Sequence, residues 1–268
     1  MFNFTVLIPV YQREDLELKF NSVMDSIYDN SILPNQVLLL IDGILSDKFL
    51  NKINKYREAK NFDIYMPGKR IGLSKILNEG IKLSKNEWII RADGDDINLP
   101  NRFEILINSI NDDTDLIGSY VNEYNSHIQQ NLIKKLPVEP HEIKKYLKFR
   151  NPFNHMSVAF KKKTVMEVGL YPHLYLKEDY GLWIKLISKG YNCKNISNIL
   201  VNVSADDNMY KRRSGWDYIV SEFSLYKFKI KFKVTNLIEA QFYLFLRLAF
   251  FIIPNFLKVY IYKKVLRK

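Results

Sequence analysis

Residues 88–100 read WIIRADGDDINLP: an apolar run of strand length that ends in three carboxylates, Asp93, Asp95 and Asp96, within four positions. Pro100 then opens the next helix at a point where its missing N–H does no harm. Like charges this close raise one another's pKa and are costly unless something positive neutralises them. In a chain whose net charge is +11, a divalent cation is the natural neutraliser. Asp93 and Asp95 flank Gly94, so one carboxylate can reach a hard cation while the other orients a water or a sugar hydroxyl. Few ligands then come from the protein, which leaves room for the phosphate oxygens of a diphosphate. An Asp-rich turn that caps a helix has the same composition.

Working outward, apolar runs of strand length alternate with amphipathic stretches. Phe4 to Val10 precedes a helical pattern from Asp15 to Tyr28, and Gln36 to Ile41 precedes another from Lys48 to Glu58. A short strand near Ile64, a helix over Leu73 to Leu83 and the strand Glu87 to Arg91 complete the first third. Such alternation predicts an α/β fold: a mixed, mainly parallel sheet with helices on both faces. In such sheets ligands sit beyond the carboxyl ends of the strands. Pro9-Val10-Tyr11, Ile41-Asp42-Gly43, Pro67-Gly68-Lys69 and the acid loop each follow a strand-like run, so four loops can converge on one pocket. Further on, a strand over Asp115 to Tyr124, a helix over His141 to Phe149 and a β-rich Met156 to Phe160 are expected. Glu178 to Lys189 then reads as an apolar-periodic helix closed by Gly190.

The 268 residues, 47% apolar and 14% aromatic, suffice for a full core, and the single cysteine, Cys193, rules out a disulfide framework. The first residues carry no basic leader, and their apolar run is too short for a signal peptide or a span, so a cytoplasmic protein is expected. Beyond residue 226 ten basic residues, Lys227 and Lys258 among them, face one acid, Glu239. That excess implies an anionic surface as partner. Within it, Phe242 to Ile253 spans roughly 18 Å, short of a roughly 30 Å hydrocarbon core. Arg247 at its centre adds roughly 2.5 to 3.5 kcal/mol against insertion. The expectation is an amphipathic helical tail, residues 226–268, lying on the membrane surface beside a catalytic domain of residues 1–225. A helix docked on the protein's own core is the other reading.

A second acid pair, Glu178-Asp179, opens the helix containing Trp183. Acids there can complement the helix dipole. A carboxylate shielded by Tyr180 and Trp183 can also act as a general base toward an alcohol. Trp88 and Trp183 read as core residues, and Trp216, beside Gly215 and two arginines, as a substrate platform. The histidines form no metal set: His127, His141 and His173 read as surface residues, and His155 either touches a ligand or holds its loop by a hydrogen bond.

Taken together, IPVYQRED, LIDG, KRIGLSKILNEGI, IIRADGDDINLPNRF, NPFNHMSVAFKK, KEDYGLWIKLISKGYN and YKRRSGWDY occur in the order seen in family 2 glycosyltransferases, over roughly residues 4 to 225. The set most resembles the bacterial branch that builds capsule, exopolysaccharide and O-antigen repeats. What the resemblance implies is a GT-A fold and a metal-dependent (Mn²⁺ or Mg²⁺) inverting transfer from a UDP-sugar. Pro9 and Tyr11 would line the uracil pocket, Asp42 would meet base or ribose, and Lys69 or Arg70 would approach the nucleotide. Asp93 and Asp95 match the DxD pair on ribose and metal, with Asp96 as a further acid. Asp179 matches the catalytic base, with Glu178 beside it toward the nucleotide sugar. His155, Arg212, Arg213 and Trp216 would serve the acceptor and diphosphate. The usual Asp-Asp-Gly-Ser appears here as Ile41-Asp42-Gly43-Ile44, with one acid of the two. The implied reaction moves glucose or galactose to a polyprenyl-diphosphate-linked sugar, with N-acetylglucosamine favoured, forming a β-linkage at the cytoplasmic face of the inner membrane.

Two rivals fit parts of the sequence. A nucleotidyltransferase also gathers acids near phosphates, but it would be expected to carry a glycine-rich or basic loop where this chain has Pro9-Val10-Tyr11-Gln12. A basic nucleic-acid-binding protein matches the charge, yet the lysines lie beside long apolar aromatics and the central acids would repel phosphate, so no nucleic-acid partner is expected.

Overall fold

A computed structural model describes residues 2–125, 130–204 and 215–252. Strands β1 (Phe4–Val10), β2 (Gln36–Ile41), β3 (Phe62–Tyr65) and β4 (Trp88–Arg91) pair in parallel in the order β3-β2-β1-β4. Beyond β4 the sheet turns mixed. β8 (Ala159–Lys161) runs antiparallel to both β4 and β6 (Leu116–Asn125), and β6 is parallel to the long β9 (Cys193–Ser204). The short β5 (Ile97–Asn98) closes that edge against β9, and β7 (Gln130–Lys134) pairs with β6. The acid loop, residues 92–96, therefore joins a strand in the parallel half to one at the far edge.

Side-chain alternation along β1 divides the core in two. Phe4, Val6, Ile8 and Val10 pack under helices α1 (Glu14–Tyr28), α2 (Asp47–Asn54) and α4 (Arg102–Asn108). Leu7 with Leu38 and Leu40 of β2 packs under α3 (Leu73–Leu83), α5 (Pro140–Leu147), α6 (Lys162–Glu167) and α7 (Glu178–Ser188). A period of two on strands buried on both faces produces this sandwich.

The helix expected over Lys48 to Glu58 stops at Asn54, and the β-rich Met156 to Phe160 is a 3₁₀ turn, His155–Ser157, ahead of the three-residue β8. Gly190 follows α7 with φ 85° and Tyr191 N–H bonds Leu186 C=O, the cap read from sequence. Helices α8 (Trp216–Lys231) and α9 (Leu237–Ile252) end the described chain, and the expected domain boundary at 225/226 falls inside α8. Arg247 faces the protein: its guanidinium takes both oxygens of Glu222 at 2.9 and 3.0 Å. The tail helix is thus docked on α8. Its outer face keeps apolar side chains in the open, Ile238 79% and Phe245 69% exposed.

Candidate active site

The loops after β1, β2, β3 and β4 meet at one edge of the sheet, as parallel pairing of their strands requires. Tyr11 lies between two guanidinium groups, Arg70 at 5.0 Å and Arg13 at 5.5 Å from its ring centroid. Tyr11, Gln12, Asp42, Gly43, Ile44, Gly68, Lys69 and Arg70 line a cleft of about 380 Å³. Pro9, expected to line the same pocket, is instead held in β1 opposite Leu40 and is not among the lining residues. Asp42 is buried, and its carboxylate accepts from the amides of Ile71, at 2.6 Å, and Gly72, at 3.1 and 3.2 Å. One acid thereby fixes the loop that carries Lys69 and Arg70.

At the end of β4 the carboxylate oxygens of Asp93, Asp95 and Asp96 come within 4.8 Å of one another. Gly94 makes this possible, because a Cβ there would lie 2.8 Å from Val10 Cγ1 and 3.0 Å from Leu16 Cδ2. Asp95 is ion-paired with Arg13, which also holds Asp15 and donates to the Tyr11 hydroxyl at 3.1 Å. Asp93 is ion-paired with the buried Arg91. Two arginines thus answer part of the repulsion for which the sequence suggested only a cation. Arg91 stands two residues before Asp93 in IIRADGDD, where a local charge balance could have found it, whereas Arg13 in YQRED lies 82 positions from Asp95 and gave no such signal.

Asp96 is buried and accepts from the Ser204 amide at 3.0 Å. Burial first, then Asp93 and Asp95, hold its pKa well above the ordinary range, and burial and Asp93 raise Asp95. Three convergent oxygen donors, two of them still straining against ionisation, fit a hard divalent cation. Burial works to lower the pKa of Arg13, but its bond to Asp15 and the charge of Asp95 outweigh it and raise the group. Arg102, fully buried, braces the same corner by donating to Arg91 C=O at 2.7 Å and Met156 C=O at 2.9 Å.

The second acid pair opens α7. Asp179 accepts from its neighbour Tyr180 N–H at 2.7 Å and from Asn151 Nδ2 at 2.6 Å, so both oxygens have fixed directions. Glu178 is pushed up to about 7 by burial and by the adjacent Asp179. The shielded carboxylate anticipated from sequence is therefore Glu178. Tyr171, which the sequence did not flag, is buried, with its backbone held by Asn78 of α3, and burial, ahead of the neighbouring charges, raises its hydroxyl's pKa. Its hydroxyl meets His155 Nε2 at 2.8 Å, and burial, then Arg91, lowers the imidazole well below its usual value. The bond to Tyr171 thus ties the turn that carries His155 to the segment between α6 and α7.

Trp88 and Trp183 are core residues, and Trp216 is 75% exposed at the start of α8. Arg212, Arg213 and His127 lie outside the described residues. Among the described residues no helix is long and apolar enough to cross a membrane.

A family model described as glycosyl transferase family 2 matches residues 5–171, more than half of the chain. The chain is 36% identical, over 99% of its length and 97% of the relative's, to the UDP-Gal:alpha-D-GlcNAc-diphosphoundecaprenol beta-1,3-galactosyltransferase of Escherichia coli. It is 32% identical, over 97% and 98% of the two lengths, to the amylovoran biosynthesis glycosyltransferase AmsE of Erwinia amylovora. Among solved structures it resembles S. aureus TarS in complex with UDP-GlcNAc, at a TM-score of 0.66 and 15% identity, covering 85% of this chain and 66% of that one. It also resembles a Pyrobaculum calidifontis mannosyltransferase in complex with GDP-Man and Mn²⁺, at a TM-score of 0.61 and 15% identity, over 87% and 65% of the two chains. At such identities the likeness carries the fold, which is GT-A.

Proposed function

This chain belongs to glycosyl transferase family 2, and on that footing we propose that it transfers galactose from UDP-galactose to N-acetylglucosamine carried on a polyprenyl diphosphate, inverting the anomeric centre to a β-linkage. The observation that carries the reading is the full-length likeness to a galactosyltransferase of that donor and acceptor. The geometry supports it, because a cleft that carries Lys69 and Arg70 is joined through Arg13, which bonds both Tyr11 and Asp95, to a trio of convergent carboxylates. Glucose as the donor sugar is the second reading, on the same site. A nucleotidyltransferase is not favoured, since the family and the full-length relatives are glycosyltransferases.

In this reading the uracil and ribose occupy the cleft beside Tyr11, and Lys69 and Arg70 face the diphosphate. Asp42 acts by holding that loop in place. Asp93, Asp95 and Asp96 would hold Mn²⁺ or Mg²⁺, which when bound supplies positive charge against the leaving diphosphate. Arg13 and Arg91 keep the trio close to charge balance and oriented toward the cleft. Asp179 takes the proton of the acceptor hydroxyl as that oxygen forms its bond to the anomeric carbon and the bond to the diphosphate breaks. Asn151 and the Tyr180 amide keep its carboxylate aimed while this happens. One base on the face opposite the leaving group suffices for inversion, with no covalent intermediate. Glu178, neutral below about 7, can donate to a sugar hydroxyl without adding charge beside the diphosphate. His155 holds its turn through the bond to Tyr171.

A lipid-linked acceptor is presented at a bilayer, and the outer face of α8 and α9 matches that setting. Trp216, Ile238, Phe242 and Phe245 are exposed there, and four lysines and Arg267 follow in sequence over residues 258–268. We place the enzyme peripherally on the cytoplasmic face of the inner membrane.

The test is incubation with UDP-galactose, UDP-glucose and UDP-N-acetylglucosamine against a short diphospholipid analogue of N-acetylglucosamine, with product read by proton NMR. A β-linked galactose is expected. An α-linked product, or transfer from none of these donors, would overturn the reading.

A further inference from the structure

The C-terminal helices reach the active site through buried charges. Lys177, the residue before Glu178, starts α7: its carbonyl accepts from Gly181 N–H at 2.8 Å. Its side chain turns the other way, to Glu222 of α8 at 2.8 Å, with the ammonium 3.7 Å above the Tyr218 ring. The Glu222 side chain is 1% exposed and also takes Arg247 of α9. Burial opposes its ionisation, but Arg247 and Lys177 outweigh burial and hold its pKa below the ordinary value. The first residue of the helix that carries both acids is therefore tied to α8 and α9 by a three-charge cluster.

A second path runs through the end of α5. The last carbonyls of a helix have no partner within it, and here that of Leu147, which ends α5, and those of the two residues after it are taken by groups from outside. Leu147 C=O accepts from the Tyr180 hydroxyl at 2.6 Å, Lys148 C=O from Lys229 at 2.7 Å, and Phe149 C=O from Arg247 at 2.6 Å. The Lys229 ammonium also lies 4.8 Å from the Tyr180 ring centroid, and Lys148 pairs with Glu239 of α9 at 2.9 Å. Two residues beyond Phe149 stands Asn151, whose amide holds Asp179 at 2.6 Å. Positive side chains suit a helix carboxyl end, and these come from the two C-terminal helices.

We propose that the C-terminal helix pair is a positioning element of the catalytic site, with Arg247 and Glu222 acting through Lys177 and through Asn151 to fix the direction of the Asp179 carboxylate. Both paths end on Asp179, and Arg247 lies on each of them. The inference rests on Asp179 serving as the base. A surface anchor would have no need of buried charges aimed inward, and a clamp that only stabilised the fold would have no need to converge on the two elements that orient one carboxylate.

Arg247→Met is the perturbation of choice, because it leaves Lys177 paired with Glu222 while it frees Phe149 C=O and the second oxygen of Glu222. In the full chain, kcat for transfer is expected to fall about 10- to 100-fold, the range that misplacement by an ångström produces. Donor KM and UDP affinity by calorimetry should stay within about twofold, since the cleft beside Tyr11 is untouched. Arg247→Lys, which can reach Glu222 but not Phe149 C=O as well, should recover melting temperature without recovering kcat. In an Asn151→Ala background the loss from Arg247→Met should shrink to about twofold or less, because the Lys177–Glu222 pair of the other path persists in Arg247→Met and the loss runs mainly through Asn151. Lower melting temperature with wild-type kcat per folded molecule would overturn the proposal, as would losses from Arg247→Met and Asn151→Ala that simply multiply. Failure of the underlying reading looks different: Asp179→Asn would then keep wild-type turnover whatever Arg247 does.

Discussion

Substituting Gly94 by alanine adds one methyl group between the acid loop and the core. The new Cβ would stand 2.8 Å from Val10 Cγ1, 3.0 Å from Leu16 Cδ2 and 3.5 Å from the Pro9 carbonyl oxygen. Carbon atoms pack best at about 3.5–4.0 Å, so the loop or its neighbours must part by up to about 1 Å. Val10 is fully buried and Leu16 nearly so, and a β-branched residue in a strand has few rotamers to which it can yield. Overpacking of this kind costs about 1–3 kcal/mol. In a protein of this size that corresponds to a fall of about 2–12 °C in Tm. What gives way is the loop, and Asp93 and Asp95 flank the substituted position. A displacement near 1 Å at the reacting centre lowers turnover about 100-fold. Urea denaturation measures the first quantity. Initial rates across a series of Mn²⁺ concentrations measure the second, with the metal requirement expected to move to higher concentration. Wild-type stability with an unchanged rate and metal requirement would refute the claim that the carboxylates are aimed by contact with Val10 and Leu16.

Other perturbations read other parts of the site. Glu178 ionises near 7 rather than near 4.5, so its contribution to stability is present below about 4.5 and is lost as pH rises through about 7. Donor KM should rise as pH passes about 7, where charge appears on Glu178 in the folded enzyme, and Glu178→Gln should flatten both profiles; pH-independent curves in the wild type would contradict this. Asp42→Asn should weaken the bonds to Ile71 and Gly72, lower stability by about 1–3 kcal/mol and raise donor KM, measured by denaturation and kinetics; an unchanged KM would mean the loop holds without it. Chelation with EDTA should stop transfer and Mn²⁺ or Mg²⁺ restore it, and a rate indifferent to chelator would remove the cation from Asp93, Asp95 and Asp96. Phe242→Asp with Phe245→Asp should abolish sedimentation with anionic vesicles while transfer to a soluble acceptor analogue continues; continued pelleting would place the membrane contact elsewhere.

The strands of the parallel half could be read almost to the residue. Phe4–Val10 and Gln36–Ile41 are apolar on both faces and are bounded by loops that break the run, and such a pattern has few alternatives. The acid loop and the Glu178-Asp179 pair were visible for the same reason, since each is a local cluster of one chemistry. β9 was not read, because its middle carries polar and exposed residues and it is parallel to β6 across a register shift. Helix α8 was hidden by the even scatter of its lysines and aromatics, which leaves no clean apolar stripe.

Sequence alone thus determined the layers, the loops at the carboxyl ends of the strands and the places where acids cluster, because these depend on residues near one another in the chain. Tertiary structure decided which charges meet. Arg13 reaches Asp95 across 82 positions, Asn151 reaches Asp179 across 28, and Arg247 reaches Phe149 across 98. No local pattern encodes such pairs, because burial makes a charge seek whichever partner the packing brings within reach. The tail helix is the sharpest case. Its composition described a surface anchor, and only the position of Glu222 between Lys177 and Arg247 turned its inner face toward the start of the helix that carries Glu178 and Asp179.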